Sequence, residues 1–533
     1  MRKVRFVSAE EAVARIPDGA TLSISGAWML VPDRTLAALE ARFLATGHPC
    51  NLTATFLLCP GGTPDQPGID RLAQAGLLAR TIGGSYPNLA ASPLRKLIEE
   101  NRVAAYNPPA GLIAAWHREV GAGRPGPLSC TGLGTFADPR LEGARMNAAA
   151  VEDLLQIVTV GGAEYLHWPS APVDVALIRA TSADESGNLT MEDESAALLA
   201  CAQAAAARAS GGRVIAQVKR TVPHGSLKPH EVKIPGALVD WVVVEPHGLQ
   251  AGGIAYDPAL CGAARREFDG QVPASESERW IARRAARELA DGDVVVLGYG
   301  ISAVVPYLLL AGGEFDRATF TIEHGSWGGL PLTDFRFGSS ANPAVILDAA
   351  TQFDLFQGGC FDIALLSFLQ VDERGRVNVH KLDARPALSA GIGGFLDIAA
   401  NAPRLLLMGY FTAGGLKTRI AGQRIAIESE GRMKKFVRRL DHVSYDPAFA
   451  RNREVLYITE RGVFRLEDGQ LVLTEVAPGV DLERDILAQM EFMPRIALVK
   501  SAHDRSPAWN QGNSIRTSSS TMYPSGRRDR HTG

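Results

Sequence analysis

Asp174-Val175-Ala176-Leu177-Ile178 leads, ten positions on from its aspartate, into Asp184-Glu185-Ser186-Gly187-Asn188. Asp362-Ile363-Ala364-Leu365-Leu366 leads at the same spacing into Asp372-Glu373-Arg374-Gly375. Each is an acidic residue, an unbroken apolar run and an Asp/Gly turn. Apolar runs without alternation suit strands buried on both faces, as in parallel sheets covered by helices. A second correspondence lies upstream of each. Ala14-Arg15-Ile16-Pro17-Asp18-Gly19 enters the strand-like Ala20–Ser25 and then Gly26, and Arg287-Glu288-Leu289-Ala290-Asp291-Gly292 enters Asp293–Leu297 and then Gly298. Ser8 with Glu11 and Ser275 with Glu278 have the capping-box spacing that opens a helix. The chain therefore reads as α/β: two related open α/β domains with largely parallel sheets, over residues 1–270 and 275–500. Ligands of such sheets bind where loops leave the carboxyl ends of the strands. Residues 502–533, rich in Ser, Arg, His and Gly without apolar periodicity, read as a disordered tail.

The composition narrows the function. At 533 residues, 46% hydrophobic and 21% charged, the chain reads as a soluble globular protein with more than one core. A formal net charge of −3 provides no global field for nucleic acid or anionic lipid, and neither is expected as a partner. Six cysteines lie far apart with no CxxC pair, which favours reduced thiols over a zinc site or a disulfide framework. The amino terminus runs into an acidic helix start without an apolar signal core, and no apolar span has membrane length. A cytoplasmic protein without a membrane partner is expected.

The chemistry centres on Glu323. It ends the β-rich run Ala318-Thr319-Phe320-Thr321-Ile322 and precedes His324-Gly325-Ser326-Trp327-Gly328-Gly329. A carboxylate at the lip of a glycine-lined turn can act as base, ligand or covalent nucleophile. Asp293–Ala303 fits a strand followed by GxGxxA, with Glu323 near the position of a ribose-binding acid, so a nicotinamide site and a bare strand-to-helix turn both stay open. Gly132-Leu133-Gly134, Gly358-Gly359 and Gly391-Ile392-Gly393-Gly394 suggest further backbone kept free of Cβ atoms around an extended ligand. There is no P-loop, GxSxG elbow or HExxH, which argues against ATP hydrolysis, a serine hydrolase and a metal site. His324 is a possible base, though a turn histidine paired with solvent or backbone is the plainer reading.

Several long motifs occur in order: GLLARTIGG (76–84), GLGTFADPR (132–140), EYLHW with PVDVALIRATSADESGNLTMEDE (to 194), TIEHGSWGGLPL (321–332), GIGGFLDI (391–398) and YITERGVFRL with EVAPGVDL (to 482). Through them the chain resembles the family I CoA-transferases of the fused single-chain acetate/propionate and 3-oxoacid type. The resemblance implies that Glu323 forms a glutamyl-CoA thioester. It implies that Gly298, Tyr299, Gly300, Ile301 and Ser302 form a CoA-binding loop, and that Gly391, Gly393 and Gly394 supply backbone donors near the thioester oxygen. It further implies fused α- and β-subunit-like halves, CoA or acyl-CoA as co-substrate with no permanent cofactor or metal, small carboxylates as the other substrates, and a homo-oligomer, dimer or tetramer. A non-catalytic CoA-binding scaffold and an acyl-CoA hydrolase are the alternatives on the same motifs. Several positions depart from the family pattern: Ala110, where a Gln is usual beside the acyl pocket, Gly252, Cys360-Phe361-Asp362, Arg376, and Trp327, which either narrows that pocket or packs against the other domain.

Overall fold

The repeated aspartates bond alike in the two halves of the chain. Asp174 Oδ2 accepts the Thr21 N–H at 2.8 Å, and Asp362 Oδ2 accepts the Val294 N–H at 2.8 Å. Ten residues on, Asp184 Oδ1 takes the N–H groups of Ser186 and Asn188, and Asp372 Oδ1 takes those of Arg374 and Arg376. These are side-chain turns in which a carboxylate replaces a backbone acceptor. The duplication read from the sequence is thus a duplication of hydrogen bonding.

The computed structural model describes residues 4–383 and 391–498, so the tail expected at 502–533 lies outside the described residues. In the amino-terminal half, β1 (Arg5–Phe6), β2 (Thr21–Ile24), β3 (Leu52–Phe56), β4 (Leu78–Gly83), β5 (Ala104–Tyr106), β6 (Val175–Asp184), β7 (Arg213–Val222) and β8 (Trp241–Val244) lie in the order β1-β8-β7-β6-β2-β3-β4-β5. Every neighbouring pair is parallel. In the other half, β9 (Val294–Leu297), β10 (Thr319–Thr321), β11 (Ser326–Trp327), β12 (Val345–Ile346), β13 (Ile363–Ser367), β14 (Arg404–Met408), β15 (Glu454–Ile458), β16 (Gly462–Glu467), β17 (Gln470–Val476) and β18 (Arg495–Ile496) form a second sheet. Its order is β12-β11-β10-β9-β13-β14-β15-β16-β17-β18, with a parallel block from β10 to β15. The register repeats as well: Leu177 of β6 stands opposite Ile24 of β2, and Leu365 of β13 stands opposite Leu297 of β9. All ten residues of β6 are buried, the apolar run 175–178 and the polar residues after it alike, as in a central strand covered on both faces.

Helices α1 (Ala9–Val13), α2 (Asp33–Thr46), α3 (Pro93–Glu99), α4 (Ala110–Gly121) and α5 (Ala200–Ala209) belong to the first half, and α6 (Glu276–Ala286), α7 (Val305–Ala311), α8 (Ala349–Gln357) and α9 (Phe395–Ala399) to the second. Both expected capping boxes form, at Ser8 with Glu11 and at Ser275 with Glu278. The halves share a core in which Ile113 of α4 is buried with Phe353 of α8 and Leu396 of α9. Burying each such side chain contributes about 1.5–3 kcal/mol, so the joint between the halves is packed rather than loose. Among the described residues, no helix is long and apolar enough to cross a membrane.

Candidate active site

β10 stops at Thr321 and the chain doubles back into β11, with Thr321 opposite Trp327. Gly325 makes the reversal at φ +107°, where a Cβ would meet the Leu347 carbonyl oxygen at 2.2 Å. The turn lifts Glu323 off the strand end. Its Oε2 accepts the Gly394 N–H at 2.5 Å, from the loop Gly391–Gly394 that leads into α9. Burial pushes the Glu323 carboxyl up to about 7, against the Gly394 N–H, which favours the charged form; the charge of Asp397 adds to the rise. The group is therefore only partly ionised near neutrality, and more basic than a surface carboxylate.

A cavity of about 230 Å³ opens on this carboxylate. Ala27 and Trp28 follow β2, Leu58 and Cys59 follow β3, and Ser85 and Tyr86 follow β4; Gly298 and Tyr299 follow β9, and Glu323 and His324 follow β10. The carboxyl ends of both sheets thus face one space, as the parallel topology leads one to expect. The far wall is Gly391, Ile392, Gly393 and Gly394. The loop is backed by the other half: Gly393 N–H donates to Gly84 O at 2.6 Å, and Ser85 pairs with Gly391.

The two glycine loops behave differently. Gly391, Gly393 and Gly394 all line the cavity, whereas of the first loop only Gly298 and Tyr299 do. Tyr299 stands edge-on to Trp28 at 5.5 Å and to Phe337 at 5.7 Å. Gly300 turns the chain at φ +98°, Ile301 packs on the core behind, and Ser302 is buried with its hydroxyl donating to Gly298 O at 2.7 Å. Ser302 braces the loop and does not face the cavity.

Other expectations are corrected. Gly132 and Gly134 accommodate neighbours: a Cβ would meet Leu166 at 2.8 Å and the Phe449 ring at 2.2 Å, respectively. Gly358 and Gly359 end α8. None of these lines the cavity. Trp327 does not line the cavity; its indole N–H donates to Gln352 Oε1 of α8 at 2.7 Å. Ala110 is fully buried beneath the loop, its N–H donating to Gly393 O at 3.3 Å, and Gly252 is pressed onto Phe335, whose carbonyl oxygen lies 2.2 Å from where a Cβ would stand. His324 lines the cavity but is buried, its Nδ1 has no partner among the described residues, and burial pushes its pKa down to about 3. A ring that binds protons so weakly makes a poor general base.

Three residues that the sequence reading left without a role brace the site. Asp397 falls inside the motif at 391–398, Asn107 stands three residues before the departure at Ala110, and Gln352 had no signal. Asp397 is fully buried, accepts the Gly111 N–H at 2.8 Å and Gln357 Nε2 at 2.9 Å, and is pushed up to about 6 by burial, against those hydrogen bonds. Asp18, His48 and Cys50 place a carboxylate, an imidazole and a thiol within metal-ligand reach of one another, but their side chains do not line this cavity and His48 Nδ1 is already bonded to Asp18 at 2.8 Å.

Two related parallel-sheet halves that close on one half-buried glutamate define a transferase of the CoA class. Residues 6–245 match the family Coenzyme A transferase, and the chain belongs to that family. It is 39% identical over 503 residues to the caffeate CoA-transferase of Acetobacterium woodii, covering 92% of this chain and 95% of that one. It is 38% identical over 504 residues to the acetate CoA-transferase YdiF of Escherichia coli K12, covering 93% of each. The crystal structure of the acyl-CoA transferase YdiF apoenzyme from E. coli O157:H7 matches with a TM-score of 0.86 at 38% identity, covering 93% of this chain and 94% of that one. A thioester complex of that protein with CoA matches at 0.84 and 37% identity, with the same coverage. The chain is thus a CoA-transferase of the single-chain kind, its halves α- and β-subunit-like. Family membership sets aside the nicotinamide reading of Gly298–Ala303.

Proposed function

We propose that the protein moves CoA between carboxylic acids by a ping-pong route through a covalent glutamyl-CoA thioester on Glu323. The observation that carries this reading is the 2.5 Å hydrogen bond from Gly394 N–H to Glu323 Oε2 at the wall of the shared cavity. A Glu323 oxygen attacks the thioester carbonyl carbon of acyl-CoA; the C–S bond breaks, and CoA leaves as thiolate, an acceptable leaving group because thiols ionise near pH 8.5. The product is a mixed anhydride. The thiolate then attacks the glutamyl carbonyl carbon, the acyl carboxylate departs, and Glu323 carries CoA as a thioester. An acceptor carboxylate reverses both steps. Each addition places negative charge on a carbonyl oxygen, and at the glutamyl carbonyl the Gly394 N–H is the donor in place. Loss of one such donor typically costs about 3 kcal/mol of barrier. The dry walls keep water from hydrolysing the intermediates. The CoA thioester of the E. coli O157:H7 relative supports the same route.

Short-chain or 3-oxo acids are the acyl class we assign first, in keeping with the acetate-transferring relative. Aromatic acids are the second reading. Trp28, Tyr86, Tyr299, Phe337 and Phe395 line the cavity, and the Acetobacterium relative is a caffeate CoA-transferase. A panel of acyl-CoA donors against short and aryl carboxylates separates the two. The route itself is tested by incubating with acyl-CoA, reducing with borohydride and mapping the modified peptide. Glu323 is expected to carry the label, and transfer without label there sinks the proposal. Glu323→Ala is expected to fold and lose transfer. A need for an acceptor acid distinguishes transfer from hydrolysis, and exchange between acyl-CoA and free acid distinguishes it from mere CoA binding.

A further inference from the structure

The loop that aims at Glu323 takes most of its backbone hydrogen bonds ahead of Gly394 from the other half of the chain. Asn107, just past β5, is fully buried. Its Oδ1 accepts the Ile392 N–H at 2.8 Å, and its Nδ2 donates to both Gly83 O and Gly84 O at 2.7 Å. Gly84 O also takes the Gly393 N–H, and Gly393 O takes the Ala110 N–H. Ile392 N–H, Gly393 N–H and Gly393 O are therefore all engaged by the amino-terminal half. The next donor, Gly394 N–H, is the one that reaches Glu323.

We infer that Asn107 is a positioning residue: by clamping Ile392 N–H to the end of β4, it makes the amino-terminal half set the aim of Gly394 N–H at Glu323. The inference rests on the reading of Glu323 as nucleophile. The site needs one acceptor and two donors on a planar group, which an amide supplies. An aspartate would set an oxygen against two carbonyl oxygens, and an alanine would release all three bonds. Alanine frees the loop at the residue two before the donor, and aspartate repels the clamp from the end of β4. Misplacement of a reacting group by about 1 Å can cost on the order of a hundredfold in rate.

A side chain that only holds the fold would give a different pattern, and a second asparagine shows it. Asn188 bonds the Gly236 N–H and Asp184 at 2.9 Å each, and none of these residues lines the cavity. Asn107→Ala, Asn107→Asp and Asn188→Ala are compared in the full-length protein by melting temperature, by steady-state kinetics and by the pH dependence of borohydride trapping at Glu323 in a single turnover. Both Asn107 variants are expected to trap label about a hundredfold more slowly, with KM for acyl-CoA within about twofold of the parent. Their acid limb is expected to move to higher pH, because the N–H that favours the carboxylate is displaced. Asn188→Ala is expected to melt earlier with the parent's limb. Asn107 variants that lose melting temperature but keep the parent's limb and trapping rate overturn the positioning role alone. A parent protein that transfers CoA without label at Glu323 overturns the nucleophile and this inference together.

Discussion

The indole of Trp327 and the amide of Gln352 share a 2.7 Å hydrogen bond behind the turn that carries Glu323. The same amide donates to Thr321 Oγ1 at 2.9 Å and to Ile322 O at 3.2 Å, so one buried side chain from α8 ties both arms of the β10–β11 hairpin. Gln352→Leu keeps the bulk and removes all three bonds. Unpaired buried groups cost about 1–3 kcal/mol each, so a clear fall in stability is expected. The turn also loosens, and kcat is expected to fall about ten- to a hundredfold. Thermal melting and steady-state kinetics check both; an unchanged kcat in a destabilised protein would show that the hairpin is held by other means.

Gly394 faces Glu323 at a distance no other residue tolerates. A Cβ there would lie 2.6 Å from Glu323 Oε2 and 2.9 Å from the Phe353 ring. Gly394→Ala must push the carboxylate away or move the loop, and either breaks the hydrogen bond. Transfer is expected to drop by about a hundredfold or more, the effect of removing one charge-stabilising donor. Stability should change little if the loop gives way. Near-parental activity in the alanine variant would remove Gly394 N–H from the mechanism.

What the sequence made legible was local. The apolar runs at 175–178 and 363–366, the Asp/Gly turns and the capping boxes each declare their structure within a few residues, because strand burial, side-chain turns and helix caps are short-range. Glu323 could be singled out because it closes such a run before a glycine turn. The clamp behind its Gly394 donor could not: Asn107 and Ile392 lie 285 residues apart, and nothing at either position announces the other. The glycine runs misled for the same reason. Gly132-Leu133-Gly134 lacks Cβ atoms as visibly as Gly391–Gly394, but the space at Gly134 is filled by Phe449, a residue that only the fold brings there.

The halves are also joined at His442, whose Nδ1 lies 2.8 Å from Glu142 Oε2 and whose Nε2 lies 3.1 Å from Asp383 Oδ1. Burial disfavours the charged ring, but the Glu142 hydrogen bond and charge outweigh it, and the pKa is raised above 6.5. A raised histidine pKa contributes stability that is fully present below pH 6.5 and is lost as pH rises through the folded value. Glu142→Gln should therefore destabilise the protein most on the acid side of 6.5, with the difference from the parent narrowing at alkaline pH. Melting curves across that range test it, and a pH-independent difference would mean that His442 stays neutral.

Glu323 itself should weaken the fold it serves. Its carboxyl ionises near 7 when folded and near 4.5 otherwise, so the protonated form is favoured by folding. The stability from that protonated form is complete below pH 4.5 and is lost as pH rises through about 7. A shift of this size corresponds to about 3 kcal/mol once the group is fully charged. Asp397, pushed up to about 6 from 3.8, acts in the same direction over its own range. Glu323→Gln keeps the shape and an acceptor for Gly394 N–H but cannot ionise. The variant is expected to be inactive yet more stable than the parent above pH 7, with the gain shrinking to nothing below pH 4.5. Denaturant unfolding at stepped pH measures the difference directly. Parallel curves for the two proteins would mean that Glu323 ionises as freely in the fold as out of it, contrary to its burial.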